Sequence, residues 1–264
     1  MRRPLPPAGW LLVLAACSMA PAAQAESSLS LSRPRSFGDI AAQTLDETGQ
    51  RLGDARVRFA ELPNGDVSLL SEIHIDGGAT NRLTARLAPV DGGAHLRPLT
   101  EESRTELAAG HDLGSLQIDH AARVVRCTSA TGERAELAMD EGDRVALAPM
   151  NLLFLPLVRG EATEIAFQIA ICRGGPRIVE ARARLVPGQP DATTRPELAE
   201  VRYELDFGPV LSAVVKPFLP RVSLWFDRAK DGDWIAHRMP LYSAGPTVMV
   251  VRAGVSPEAL GLDR

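Results

Sequence analysis

From Ala55 onward the chain repeats with a period of two: apolar side chains fall on alternate positions and mostly polar or charged ones fill the places between. Val57 and Phe59 alternate with Arg56 and Arg58. Val67, Leu69, Ile73 and Ile75 share one parity, against Ser68, Glu72 and His74. Leu83, Ala85 and Leu87 oppose Arg82, Thr84 and Arg86, and Val179, Ala181, Ala183 and Leu185 oppose Glu180, Arg182 and Arg184. Val201, Tyr203, Leu205 and Phe207 oppose Arg202, Glu204 and Asp206. A strand points successive side chains to opposite faces, so this pattern predicts antiparallel strands with one face on a core and the other in water. Arg and Glu on the wet face can pair across strands for about 0.2–1 kcal/mol each. They read as solvated sheet surface before any anion-binding site.

Turn signals separate the runs: Asn64-Gly65, Asp76-Gly77-Gly78, Asp91-Gly92-Gly93, Thr131-Gly132, Gly174-Gly175 and Asp231-Gly232. Asn-Gly favours a tight hairpin because both central residues tolerate positive φ. The Gly-Gly pairs read as turns, since no phosphate-binding glycine pattern accompanies them. Ten or so strands with almost no long helix predict an all-β domain of one antiparallel curved sheet, a half-barrel or barrel.

Two segments depart from the alternation. Over Ser36 to Leu45, Phe37, Ile40, Ala41 and Leu45 have helical spacing, but Thr44 and the Gly49–Gly53 turn favour a hairpin into the Ala55 strand. We read it as the hairpin. Leu147 to Val158 is apolar on every side and sits between and around Pro149 and Pro156. Such a stretch must be buried, and its prolines make it a short helix or loop and not a central strand. It is a plug for one apolar sheet face: filling the interior, it is ordinary core; filling it partly, it leaves a cavity for an apolar molecule.

The chain starts with Arg2-Arg3 ahead of the apolar run Trp10 to Ala16, the pattern of an export signal over residues 1–25 and too short to remain as a spanning helix. Two processing points compete. Leu14-Ala15-Ala16-Cys17 resembles a bacterial lipobox, which would make Cys17 the lipid attachment site; Ala23-Gln24-Ala25 is an A-x-A site for cleavage after Ala25. The lipobox is favoured, because residues 18–36 are rich in Ser, Ala and Pro and read as a flexible tether ahead of a domain over 37–264. By resemblance to lipoproteins, Ser18 after the cysteine implies sorting to the outer membrane, with the membrane touched through this anchor alone. The alternative is a soluble periplasmic or secreted protein. Cys127 and Cys172 remain, either one bridge in an oxidising compartment or two small buried hydrophobes on separate strands. A bridge would close a loop worth about 4 kcal/mol by chain entropy.

The formal net charge of −4 over 264 residues argues against a nucleic-acid partner, which needs a basic surface. There is no nucleophile elbow, zinc-protease helix or paired-cysteine motif in the mature chain, and we assign no cofactor, no metal and no catalytic residue. His74 with Asp76, His111-Asp112 and Asp119-His120 offer isolated ligands without a third, and read as surface histidines near turns. His237 has Asp233 before it and Ser243 after it, so a hydrolase can be drawn, but order alone does not set a nucleophile against its base. His237 and Arg238 read instead as bonded across the sheet or to an acidic group at a cavity rim.

The early hairpin with Gly49 and Gly53, the Asn64-Gly65 return, and the closing strands through Trp225 and Pro240-Leu241 resemble a family of bacterial envelope proteins of unknown function. That family is similar in outline to curved half-barrels of the lipoprotein-carrier type. The resemblance covers residues 37–252 in layout, and it implies a concave face that holds acyl chains. The expected ligand is therefore a lipid or apolar small molecule, contacting Met150, Leu152, Phe154, Leu155, Leu157, Trp225, His237 and Arg238. The competing expectation is a non-catalytic scaffold in an envelope complex, with a protein partner and a free sheet edge or exposed apolar patch as its sign. A hydrolase stands third.

Overall fold

In a computed structural model, the described residues are 29–147, 150–187, 197–206, 222–242 and 245–260. Cys17, both processing points, Phe207 and Ser243 lie outside them. The alternating runs form one antiparallel curved sheet. Its path begins with β10 (Ile165–Ile171), β11 (Arg177–Leu185), β12 (Leu198–Asp206), β13 (Val222–Asp227), β14 (Asp233–Pro240) and β15 (Thr247–Arg252). It continues through β2 (Gly38–Leu45), β3 (Arg51–Glu61), β4 (Val67–Ile75), β5 (Ala79–Val90) and β6 (His95–Leu107) to β7 (Asp112–Asp119), β8 (Val124–Ser129) and β9 (Arg134–Ala138). With the short β1 (Leu31–Ser32) beside β6, the sheet has fifteen strands among the described residues, more than the ten or so expected. In β6 polar residues occupy both parities and hide the period.

Residues 38–45 are strand, as the hairpin reading requires: Asp46 accepts from the N–H groups of Thr48 and Gln50, and Gly49 takes φ 84°. The tether expected over 18–36 is overturned for its last part. Leu29 and Leu31 are buried in the main core and Leu31 pairs with Leu96 of β6. Two apolar residues at alternate positions gain more by docking than a Ser-rich context suggests.

Because all neighbours in this path are antiparallel, the connections alternate between two ends of the sheet. One end carries the 62–66, 91–94, 120–123 and 228–232 turns and the long 139–164 excursion. The far end carries the turns at 46–50, 76–78 and 241–246. The sheet does not close. Among the described residues its strand path ends at β9 and β10, consecutive in sequence. At this seam residues 144–146 run beside β10: Ala146 N–H donates to the Gln168 carbonyl at 2.8 Å and Gln168 N–H to that of Arg144 at 3.0 Å. Cys127 of β8 and Cys172, just past β10, form a disulfide with Cα atoms 5.6 Å apart. Ile118, Val125, Met139, Val145 and Ala170 pack beneath the seam.

The excursion enters the interior as two one-turn helices, α1 (Met150–Leu153) and α2 (Leu155–Val158). The sheet makes room for them with small inward residues: α2 lies against β11 and β12, where Ala181, Ala183 and Ala199 face in. Gly232 is needed for the same reason. A Cβ there would come within 2.6 Å of Leu155 Cδ2, and its φ of 88° suits glycine besides.

Candidate ligand-binding interior

Each expected contact residue now has a place. Met150, Leu152, Phe154, Leu155 and Leu157 all belong to the main core, and Phe154 and Leu157 are fully sealed. Phe154 meets Phe167 with ring centroids 5.5 Å apart and Tyr203 at 6.1 Å, and Phe167 meets Tyr203 at 5.5 Å. The two Phe167 contacts are edge-to-face, packing that orders a core beyond its apolar area. Burial in this trio pushes the Tyr203 phenol well above its ordinary pKa. At the plug end the interior is therefore packed protein. Arg159, directly after α2, pairs with Asp231 in the β13–β14 turn at 2.9 Å.

Trp225 does not join the plug. Its neighbours Leu224 and Phe226 face the main core, while Trp225 lies on the outer face with Leu45, Ala236, Met249, Val251 and Leu260. The C-terminal turn covers this second cluster, so β13 is buried on both sides and alternation cannot tell its faces apart.

His237 and Arg238 also part company. Arg238 is outward and pairs with Glu47, an acidic contact of the kind expected, but on the sheet exterior and not at a cavity rim. His237 is inward. A bulge in the β13–β14 register sets Phe226 opposite Trp234 and Leu224 opposite His237, which leaves Ile235 as the extra residue. Trp234 and His237 thus share the inner face, with ring centroids 5.4 Å apart. Part of the His237 residue keeps solvent contact, but its Nε2 is sealed and has no hydrogen-bond partner. Burial lowers its pKa from 6.5 to about 4, so the imidazole is neutral at pH 7. Asp233 is engaged by Arg252 at 3.1 Å and does not orient His237 as a triad acid would.

Sequence reasoning missed two inward polar residues. Thr44 is fully buried and its Oγ1 has no partner. Glu101 is 1% exposed, yet stands in phase with inward Ala85 and Ile118. His120 is correspondingly not a surface histidine; it is bonded to this carboxylate. Nothing in a strand reading Thr-Glu-Glu-Ser-Arg-Thr-Glu says which glutamate turns in. A third inward group is satisfied: Asn81 Nδ2 donates to Thr105 Oγ1 at 2.9 Å and Ser103 Oγ at 3.3 Å.

At the far end the inner face changes character. Leu52, Ile75, Leu205, Met239 and Tyr242 pack against the main core but stay only half-buried. On the exterior, a shallow groove of about 330 Å³ is lined by residues including Glu72, Arg82, Glu102 and Arg104. Glu72 bridges Arg56 and Arg82, and Arg104 pairs with Glu106 and Asp112, so these cations are already matched. His74 bonds Thr80 and Asp76 bonds Arg51. Among the described residues no three His, Cys, Asp or Glu side chains are grouped to hold a metal.

No family model matches the chain. No curated protein matches it either. Among solved structures it is similar to a β-barrel-like protein of a domain of unknown function, DUF1849, from Brucella abortus, at 10% identity and a TM-score of 0.43, covering 83% of this chain and 98% of that one.

Proposed function

We propose that the protein is an exported envelope protein, held at the periplasmic side of the outer membrane through an acylated Cys17, whose curved sheet binds an apolar or lipid-like ligand. The far end of the interior carries this reading. There Leu52, Ile75, Leu205, Met239 and Tyr242 keep apolar surface only half-buried, on the same inner face that the plug fills at the other end. Ligand sites are concave and mainly apolar with few polar groups, which matches this end and not the packed one. Of the expected contacts, His237 lies on this inner face between Trp234 and Met239, while the plug residues pack at the other end. Export is supported by the Arg2-Arg3 start and the apolar run behind it, and by a disulfide suited to an oxidising compartment.

Organic extraction and native mass spectrometry of protein purified from its own envelope test the ligand. A co-purifying lipid is expected, lost when Met239 and Leu205 are replaced by Glu; ligand-free protein that takes up no lipid on incubation overturns the reading. Cys17→Ser, followed by fractionation, tests the anchor.

One observation favours a scaffold role as a second reading. β9 forms one edge of the sheet with Arg134, Ala135, Glu136 and Ala138 exposed, and among the described residues no strand pairs beyond it. Such an edge can accept a partner strand. Crosslinking from position 136 in cells, returning one specific protein, would support it.

A further inference from the structure

We propose that β9 pairs with β9 of a second copy of this chain, antiparallel about a two-fold axis at Ala135, so that Arg134 of each copy faces Glu136 of the other. The proposal rests on the bare-edge reading above and names the strand that meets β9.

The ladder fixes which backbone groups of β9 are free. Ser129 N–H donates to the Glu133 carbonyl at one end of the β8–β9 pair, and Met139 N–H to the Arg123 carbonyl at the other. Bonded positions alternate in an antiparallel pair, so Ala135 and Leu137 turn their N–H and C=O groups to β8. Arg134, Glu136 and Ala138 turn theirs to the open side, where nothing among the described residues takes them. The other end of the path is not left so: residues 144–146 lie along β10 and bond both backbone groups of Gln168. β9 also lacks the usual guards of an edge. It has no proline and no bulge, and its inward residues, Ala135 and Leu137, carry no charge. Such an edge is a template for another strand.

Charge selects the occupant and the register. On the outer face Glu136 pairs with Arg126 of β8 at 2.9 Å, while Arg134, opposite Thr128, pairs with no acid among the described residues. A strand that brings a carboxylate to Arg134 and a cation to the open flank of Glu136 completes this row, and β9 reversed is such a strand. With the axis at Ala135 the copies form reciprocal Arg134–Glu136 pairs and bond through the outward backbone groups of both residues. Alanine at the axis lets the backbones approach to the about 4.5 Å between Cα atoms of a non-bonded pair. Moving the axis to Glu136 sets the two carboxylates against each other, and moving it to Leu137 carries Arg134 past the end of the other strand. A strand of 5 residues buries far less than the about 1,600 Å² of a standard stable interface, so the pairing is weak and reversible.

The test places the photocrosslinker benzoylphenylalanine at position 138 of the full chain in cells, where the axis at Ala135 sets it opposite Gly132 of the other copy. A product of twice the chain mass is expected, with its junction in the turn around Gly132. Arg134→Glu and Glu136→Arg each set like charges opposite one another, and each is expected to cut the yield about tenfold, since both cross-strand pairs turn from attraction to repulsion. Co-expression of the two variants restores opposite charges in the mixed pair, so the product should return, which also shows that both chains fold. Arg134→Glu, opposite Thr128, carries the test alone where Glu136→Arg, opposite Arg126, does not fold. A self-product indifferent to these charge changes, or joined elsewhere, overturns the proposal. A product with a different protein overturns self-pairing and leaves the bare edge standing as a partner site. No product overturns both.

Discussion

Nε2 of His120 donates to Oε1 of Glu101 across 2.7 Å, and the other oxygen of that carboxylate accepts the backbone N–H of Leu147 at 3.0 Å. One buried acid on β6 therefore fastens the strand turn after β7 to the chain that leads into the plug. A carboxylate buried this deeply is tolerated because its oxygens are met by donors. The plug is thus held at both ends by charge: by Glu101 before α1, and by the Arg159–Asp231 pair after α2.

Glu101→Ala is expected to lower stability by about 3 kcal/mol, through a lost buried partner and an unmet N–H. Urea denaturation measures the loss, and limited proteolysis should cut faster within 139–164. An unchanged midpoint and cleavage pattern would show that Glu101 does not hold the plug.

His237 gives the fold a pH dependence of definite sign. The unfolded chain takes up this proton near pH 6.5 but the folded chain only near pH 4. Its contribution is whole above 6.5, falls as pH drops through the window from 6.5 to 4 by about 1.4 kcal/mol per pH unit, and is constant again below it. Denaturation curves at intervals across this window should show the slope, and His237→Phe should remove it.

The disulfide lies at the seam, where β9 and β10 do not pair with each other. Replacing Cys127 and Cys172 together with Ser is expected to cost about 4 kcal/mol. Hydrogen exchange should rise chiefly in β8, β9 and β10, the strands that flank the opening. Uniform acceleration across the whole sheet would argue that the bond acts on the unfolded chain alone.

Phe154 and Trp225 separate the packed core from the proposed ligand site. Phe154→Ala is expected to cost about 3–5 kcal/mol, since it empties the centre of the aromatic trio. Trp225→Leu should also destabilise, yet leave the affinity for pyrene-labelled dodecane unchanged, because Trp225 faces the outer cluster. A loss of probe affinity in a folded Trp225→Leu protein would place it in the site after all.

Fold class, the single antiparallel sheet and the buried plug were legible because each rests on local pattern: period two in β3 to β5, β11 and β12, and an all-apolar run between prolines. The proposed interior site was not. The bulge at Ile235 shifts the phase of β14, so strict alternation from Trp234 puts His237 on the wrong face. β13 is apolar on both faces because the C-terminal turn covers its outside, which drew Trp225 into the ligand set. In β6 both parities are polar, and only its pairing with Ala85 and Ile118 shows that Glu101 turns in. Thr44, one hydroxyl in an alanine-rich strand, carries no signal until Val250 stands beside it.

That same pairing sets the order in which the chain can fold. Among the described residues, apart from the brief β1–β6 contact, every strand pair joins neighbours in sequence except β15 with β2, where Val250 meets Thr44 from roughly 200 residues away. Hairpins form on a microsecond scale, but a contact this distant waits on the diffusion of two half-sheets, and on a ribosome it waits for the last strand to be made. Until Thr247–Arg252 arrives, β2 and β14 are raw edges able to recruit other copies. The final strand is therefore the clock of assembly, and nascent chains stalled just short of it are where aggregation should begin.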